Sequence, residues 1–369
     1  MEILQTKTGY DAEQLPVTNV VNLAVECFDD FEGTPIPSEW QSRYNASFAL
    51  LNLSLSMINL ITLSLDGSGN FKRISDAIVA APNNSNTRFY IHVAPGTYHE
   101  AIQIPKAKKF IALIGDDAFT TIIIDNRSNG TGFKTNNSAT LTVQGDNFMA
   151  KSLTFENSAG PQNGQAVAVF DKADHTAYYK CRFLGFQDTL YVNGKYQFFK
   201  ESNIYGSVDF IFGHGRVMFQ DCNIYARMPS NSITVTAQSK DFLRSISGFS
   251  FQNCTVTVSP EISSNKQNVK VFLGRPWRQY SNVVFMESFL DDVVASEGWM
   301  EWKGVPVNNL FYGEFNNFGP GADVSKRVNW TGYHLLDKKS AIGFTVDNFI
   351  DGSEWLAETG IPFRRGLLT

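Results

Sequence analysis

The chain has 369 residues, 43% of them hydrophobic, enough to bury an extended core within one elongated domain. Asp and Glu (36) outnumber Lys and Arg (31), giving a net charge of −5 and a pI near 5.6. With no Lys/Arg-rich run, nucleic acid is excluded as a partner class, and an anionic ligand has to be met by local basic groups.

Residues 1–59 show no internal repeat and are expected to be an appendage to a single unit spanning 60–369. Met1 to Tyr10 lacks the basic-then-apolar order of a secretory signal peptide. Residues 46–65 are rich in apolar side chains, but Asn52, Ser54, Ser56, Asn59, Thr62 and Ser64 interrupt them, so no membrane span is expected. The near-alternation of Leu51–Leu55 and of Ile61–Leu65 reads as strand. A turn at Asp66–Phe71 leads into a short amphipathic helix over Ile74–Ala81, ended by Pro82 and suited to cap the open end of a β-stack. Strands are expected at Phe89–Val93, Phe110–Ile114 and Thr121–Ile124, with Pro95-Gly96 as a corner. Near the C-terminus a helix is expected around Ser353–Thr359, lying against the outside of the stack.

Between Ala139 and Phe315 the sequence repeats itself. Tyr179-Lys180-Cys181, Lys200-Glu201-Ser202, Gln220-Asp221-Cys222, Gln252-Asn253-Cys254 and Met286-Glu287-Ser288 each follow aromatic or apolar residues and end on a small Cys or Ser. Short β-prone runs with Gly or Asn corners, recurring every 20 to 34 residues, are the signature of a β-solenoid. Stacked coils place Cys181, Ser202, Cys222 and Cys254 in one internal ladder, about 4.8 Å per step. Phe198-Phe199, Met218-Phe219, Phe249–Phe251 and Val284-Phe285 supply an aromatic ladder beside it. The cysteines, Cys27 included, lack CxxC or Cys/His spacing, so no zinc site is expected; no cofactor is expected elsewhere in the chain. Cys181, Cys222 and Cys254 read as small core residues, with a disulfide between neighbouring coils as the alternative. Sequons at Asn45, Asn52, Asn83, Asn126, Asn129, Asn136 and Asn329 fit a secreted glycoprotein.

Asp188 lies in Gly185-Phe186-Gln187-Asp188-Thr189-Leu190-Tyr191 and Asp209 in Gly206-Ser207-Val208-Asp209-Phe210-Ile211-Phe212-Gly213. Each follows the small residue of its own repeat, Cys181 or Ser202, at the same interval, so the two carboxylates fall at one register on neighbouring coils. At that separation one ionises readily and the other holds its proton: a nucleophile or base beside a general acid. Gln165, in Gly164-Gln165-Ala166-Val167-Ala168, is a neutral donor suited to a developing oxyanion. Arg275 sits in the tight frame Leu273-Gly274-Arg275-Pro276-Trp277, where a fixed guanidinium can hold a carboxylate by two bonds, and Trp277 offers a flat face for a sugar ring. No histidine is assigned to catalysis, and His214 reads as a solvated turn residue.

At these residues the chain resembles the pectin methylesterases (pectinesterases), most closely those of plants. The matching motifs are Gly96-Thr97-Tyr98-His99-Glu100, Gln165-Ala166-Val167-Ala168, Gly185 to Tyr191, Val208 to Gly213 and Leu273 to Trp277, in the family's order and approximate spacing. The resemblance implies a right-handed parallel β-helix and metal-free hydrolysis of methyl esters on homogalacturonan, giving pectate and methanol. By position, it makes Asp209 the nucleophile and Asp188 the acid and then base. Gln165 and Gln187 become the anion hole, Arg275 the holder of Asp209, and Trp277 and Trp302 the sugar-stacking aromatics. It further implies a secreted cell-wall monomer whose partners are pectin and a proteinaceous inhibitor. His214-Gly215-Arg216 stands where Asn-Ala-Ala is common, Phe170 where an Arg often stands, and Ser202 in place of a frequent Cys; the first two are expected near the substrate groove. Other readings are a β-helix lyase, a glycoside hydrolase, and a catalytically silent wall-binding protein. A lyase needs a calcium-binding Asp cluster, and an inverting hydrolase needs carboxylates further apart.

Overall fold

Short β-prone runs bury little when paired within one coil, so they bury their apolar faces against the coils before and after. A computed structural model describes residues 60–228 and 232–368, in which the strands form three sheets of eleven, eight and seven strands. Each central coil gives one strand to each sheet: Thr176–Tyr179, Arg182–Leu184 and Leu190–Val192 in one, Gln197–Lys200, Asn203–Gly206 and Ile211–Gly213 in the next. The pairs are parallel and share one register, Thr176 beside Gln197, Arg182 beside Asn203 and Leu190 beside Ile211. This is the expected parallel β-helix.

One bend recurs on every central coil. Lys180, Glu201, Asp221, Asn253 and Glu287 have φ of 53, 48, 56, 54 and 53°, turning the chain sharply from the eleven-stranded to the eight-stranded sheet. A left-handed non-glycine residue costs roughly 1–2 kcal/mol. The stack offsets that cost, because each of these N–H groups donates to the next coil, as in Lys180 to Lys200 O (3.1 Å) and Asp221 to Gln252 O (3.0 Å). The residue after each bend points inward. Cys181, Ser202, Cys222 and Cys254 are all buried in equivalent places, with Ser288 as a further rung. Their Sγ and Oγ atoms donate to main-chain carbonyls, and Ser202 Oγ accepts the Cys181 N–H at 3.1 Å. Cys181, Cys222 and Cys254 are free thiols, which sets aside a disulfide between them; Cys27 lies outside the described residues.

The aromatic ladder is Tyr178–Phe199–Phe219–Phe251–Phe285, with ring centroids 4.6, 4.8, 4.5 and 4.3 Å apart. Each stack adds roughly 0.5–1.5 kcal/mol beyond area burial. Four residues expected in it lie elsewhere, Val284 on the outer side among them, because alternate residues of a strand face opposite ways. Phe198 and Met218 pack on the outer side of the eleven-stranded sheet, while Phe249 pairs with Val217 and Val283 in a parallel inner row.

One end and one flank of the stack are covered. The helix Ile74–Ala80 buries Ile74, Ala77 and Ile78 with Leu63, Ile91 and Val93, and the carboxylate of Glu100 accepts its first N–H groups, Ile74 at 2.9 Å and Ser75 at 3.2 Å. Glu100, in the Gly96–Glu100 motif, thus caps this helix. Strands run at Leu60–Leu63, Ile111–Gly115 and Thr121–Asp125, close to expectation; the strand read at Leu51–Leu55 lies outside the described residues. The helices Val346–Ile350 and Gly352–Trp355 and the 3-10 turn Leu356–Thr359 pack on Phe198, Met218, Val284 and Met286, outside the stack. The tail beyond them is pinned by Gln220, Gln252 and Glu287, which bond Arg364 N, Gly366 O and Leu368 N. Among the described residues no helix is long and apolar enough to cross a membrane. Asn83, Asn126, Asn129, Asn136 and Asn329 are exposed; Asn45 and Asn52 lie outside the described residues.

Asp171 closes the strand Val169–Asp171 and is wholly buried, accepting bonds from Ala173 N (3.0 Å), Thr176 Oγ1 (2.6 Å) and Tyr178 Oη (2.8 Å). Burial outweighs those bonds and pushes its carboxyl up to about 7. The unfolded value is about 4, so between the two the folded state binds more protons and this group's contribution to stability falls as pH rises. Asp171→Asn should remove that slope. In thermal melts from pH 4 to 8 the stability of wild type relative to the variant should fall as pH rises, and an unchanged difference across that range would refute the assignment.

Candidate active site

Gly185 and Gly206 open equivalent turns on successive coils, each too tight for a side chain. A Cβ would meet Thr189 Oγ1 at 2.6 Å at the first and Phe210 Cβ at 2.1 Å at the second. The turns carry Asp188 and Asp209 into left-handed backbone, φ 65 and 51°, each one residue short of the paired strands that open at Leu190 and Ile211. The Asp188 N–H donates to Val208 O at 3.1 Å, so the carboxylates stand one coil apart, as expected.

Their surroundings differ. Arg275 donates Nε to Asp209 Oδ1 (2.8 Å) and Nη2 to Oδ2 (2.7 Å), a planar two-point ion pair. Thr234 donates Oγ1 to Asp209 Oδ1 (2.7 Å) and accepts the Asp209 N–H (2.9 Å). Register explains both partners, since Ile211 pairs with Thr236 and Thr236 with Gly274. A Cβ on Gly274 would meet Thr236 Oγ1 at 1.9 Å, so only glycine brings Arg275 this close. The indole of Trp302 lies 4.2 Å from the Arg275 guanidinium and restrains it. Asp188 has none of this. Burial, reinforced by the charge of Asp209 and partly opposed by Arg275, holds its carboxyl well above the usual carboxylate range.

Gln165 and Gln187 are partly exposed on adjacent coils, tied by Ala166 N–H to Gln187 O at 3.1 Å. An aromatic row runs along the outer face of the seven-stranded sheet: Phe170–Tyr191 (4.2 Å), Tyr191–Phe212 (4.3 Å) and Phe212–Trp277 (6.1 Å). The structure therefore gathers Asp188, Asp209, Gln187, Arg275 and Trp302, with Gln165 one coil before and Trp277 along the row. Trp299, close to Trp302 in sequence, is instead core, stacked on Tyr312 at 4.1 Å. Thr234 and the Phe170–Tyr191–Phe212 row escaped the sequence reading. The row had a signal, aromatic residues at the centre of successive three-residue strands; Thr234 looks like any β-branched strand residue.

Two expectations are corrected. His214 is not a solvated turn residue: it is half-buried, with Nδ1 2.8 Å from Ser239 O and Nε2 3.1 Å from Ser245 Oγ, and it fastens the 239–245 loop. Arg216 is away from the groove, because it opens the strand Arg216–Gln220 of the eleven-stranded sheet and packs on Phe349 (5.1 Å) under the C-terminal helices. Phe170 lies in the aromatic row, against Tyr191.

The profile of the Pectinesterase family matches residues 60–353. The chain belongs to the pectinesterase family. It is 46% identical over 310 residues to "Probable pectinesterase/pectinesterase inhibitor 39" of Arabidopsis thaliana, covering 83% of this chain and 58% of that one. It is 45% identical to "Pectinesterase 2" of Citrus sinensis, covering 83% and 60%. The chain thus spans about three fifths of the length of these curated relatives. Its fold matches the pectin methylesterase from carrot with a TM-score of 0.82 at 39% identity, covering 83% of this chain and 98% of that one.

Because burial is the larger cause of the Asp188 shift and Asp209 the second, removing the neighbouring charge should lower the Asp188 pKa without restoring an ordinary value. Carbon-13 carboxyl titration of Asp188 in Asp209→Asn against wild type checks this. A midpoint that stays put, or rises, contradicts the coupling of the pair.

Proposed function

We propose that this pectinesterase-family chain, with residues 60–369 as its catalytic unit, hydrolyses methyl esters of homogalacturonan to pectate and methanol. The observation that carries this reading is the inequality of the pair: Asp209 held by Arg275 in a two-point ion pair, Asp188 buried with its pKa pushed up. In this mechanism an Asp209 oxygen attacks the ester carbonyl carbon. The carboxamides of Gln165 and Gln187 stabilise the oxyanion of the tetrahedral intermediate. As the C–O bond breaks, Asp188 gives its proton to the departing methoxide oxygen, leaving an acyl anhydride on Asp209. Asp188, now a carboxylate, takes a proton from water, whose oxygen attacks the acyl carbon and frees Asp209. Arg275 and Thr234 keep Asp209 aimed throughout.

Trp277, Trp302 and Arg275 are the proposed polymer contacts, with the aromatic row as a floor. The sequons, five of them on exposed asparagines, support a secreted cell-wall protein. The name of the Arabidopsis relative, which pairs pectinesterase with pectinesterase inhibitor, supports a proteinaceous inhibitor as partner, and we take the working unit to be a monomer.

The test is methanol release from methylated pectin, with polymer length followed in parallel. Methanol should appear without shortening. Asp209→Ala should release none, and Asp188→Asn should be crippled while still binding pectin. Shortening without methanol would favour a lyase or glycoside hydrolase, and binding without methanol a silent wall protein.

Thr234→Val keeps the shape but removes a hydrogen bond to a charged group, worth roughly 1.5–3 kcal/mol. The turnover number should fall about 10- to 100-fold with the melting temperature little changed. Wild-type turnover would remove Thr234 from the machinery.

A further inference from the structure

Asp209 is fixed by its own carboxylate, through Arg275 and Thr234. Asp188 has no such anchor: among the described residues no side chain hydrogen-bonds its carboxyl, so its aim depends on the turn that carries it. That turn is fastened at four backbone atoms. Phe186 O accepts Ser207 N–H (2.9 Å), Gln187 O accepts Ala166 N–H (3.1 Å), and the Asp188 N–H donates to Val208 O (3.1 Å). The fourth is Gly185 O, which accepts from Nη1 of Arg227 at 3.1 Å.

Arg227 comes from two coils further along. The eight-stranded sheet pairs Leu184 with Tyr205 and Gly206 with Ala226, and the Arg227 N–H bonds Gly206 O at 2.7 Å. From there the guanidinium reaches over the intervening coil, lies 4.1 Å from the centre of the Phe186 ring, and keeps Nε on Glu261 Oε1 at 3.1 Å. A planar cation that stacks on one residue of a turn while bonding the carbonyl of the one before it resists both sliding and tilting. Gln187 and Asp188 are the next two residues.

We propose that Arg227 is a positioning residue for the acid and base Asp188 and the oxyanion donor Gln187, clamping their turn through Gly185 and Phe186. This rests on the ester-hydrolase reading. The clamp acts on the proton-donating half of the site and leaves the Asp209–Arg275–Thr234 half alone, so its loss hurts most where the leaving group needs a proton.

The experiment compares wild type, Arg227→Ala and Arg227→Lys on two forms of one polymer: methyl-esterified and 2,2,2-trifluoroethyl-esterified polygalacturonate. Trifluoroethoxide departs with little help from an acid. Arg227→Ala should lower kcat on the methyl ester about 10- to 100-fold with KM within about twofold. On the trifluoroethyl ester the loss should shrink several-fold, and Arg227→Lys, which keeps one donor but not the plane, should fall between. Phe186→Leu, which keeps apolar bulk but removes the ring face, should show the same leaving-group selectivity and stands in if Arg227→Ala does not fold. Equal losses on both esters, a change confined to KM, or wild-type rates in Arg227→Ala would overturn the positioning role alone. Absence of alcohol release by wild type from either ester would overturn the ester-hydrolase reading and this proposal with it.

Discussion

Everything in this molecule depends on register: each coil lies on the one before with like residues over like. The hydrogen bonds between coils hold that register, and they also pay for the left-handed bends at Lys180, Glu201, Asp221, Asn253 and Glu287, whose N–H groups find acceptors only in the neighbouring coil. For apolar side chains repetition is favourable, and Tyr178, Phe199, Phe219, Phe251 and Phe285 stack at the spacing of the strands. For carboxylates it is unfavourable, since stacking Asp188 beside Asp209 sets like charges together at a largely buried place. The same constraint thus builds the core and loads the site.

That load is relieved unevenly. The carboxylate of Asp209 receives a guanidinium and a hydroxyl; that of Asp188 receives neither and holds its proton through burial and repulsion. Two identical residues in identical turns thereby acquire different partners, because the later coils bring Arg275 and Thr234 to Asp209 alone by hydrogen bond. A site with two bare carboxylates would lack a fixed nucleophile, and one with two salt-bridged carboxylates would lack an acid.

Much of this was legible in the sequence, because register is a sequence property. The spacing from Cys181 to Asp188 and from Ser202 to Asp209 placed the pair on adjacent coils, and the small residues after each bend marked the inner ladder. The bends themselves were not legible. Their residues are Lys, Glu, Asp, Asn and Glu, with little of the Gly or Asn signature of left-handed backbone, because bonding across coils overrides local preference. Phe249 was misplaced since period-two alternation gives a face but not a row, and Arg216 because the chain turns a corner at His214-Gly215 and enters another sheet at Arg216. Thr234 carried no chemical mark until Asp209 was set beside it.

The coils are also unequal, and the inequality shapes the candidate site. Adjacent strands of the eleven-stranded sheet are 21 residues apart between Thr176 and Gln197, but 32 apart between Val217 and Phe249 and 34 between Phe249 and Val283. The extra residues leave the stack at corners, and from such corners come Arg275, Trp277 and Arg227, each following the end of a strand. Strict repetition can bring two aspartates together but cannot tell them apart, because any partner it supplied to one it would supply to the other. The guanidinium on Asp209 therefore comes from a corner that breaks the period, whereas Thr234, inside the strand Ser232–Gln238, tells the two aspartates apart because the next coil sets a hydroxyl and not a third carboxylate at that register.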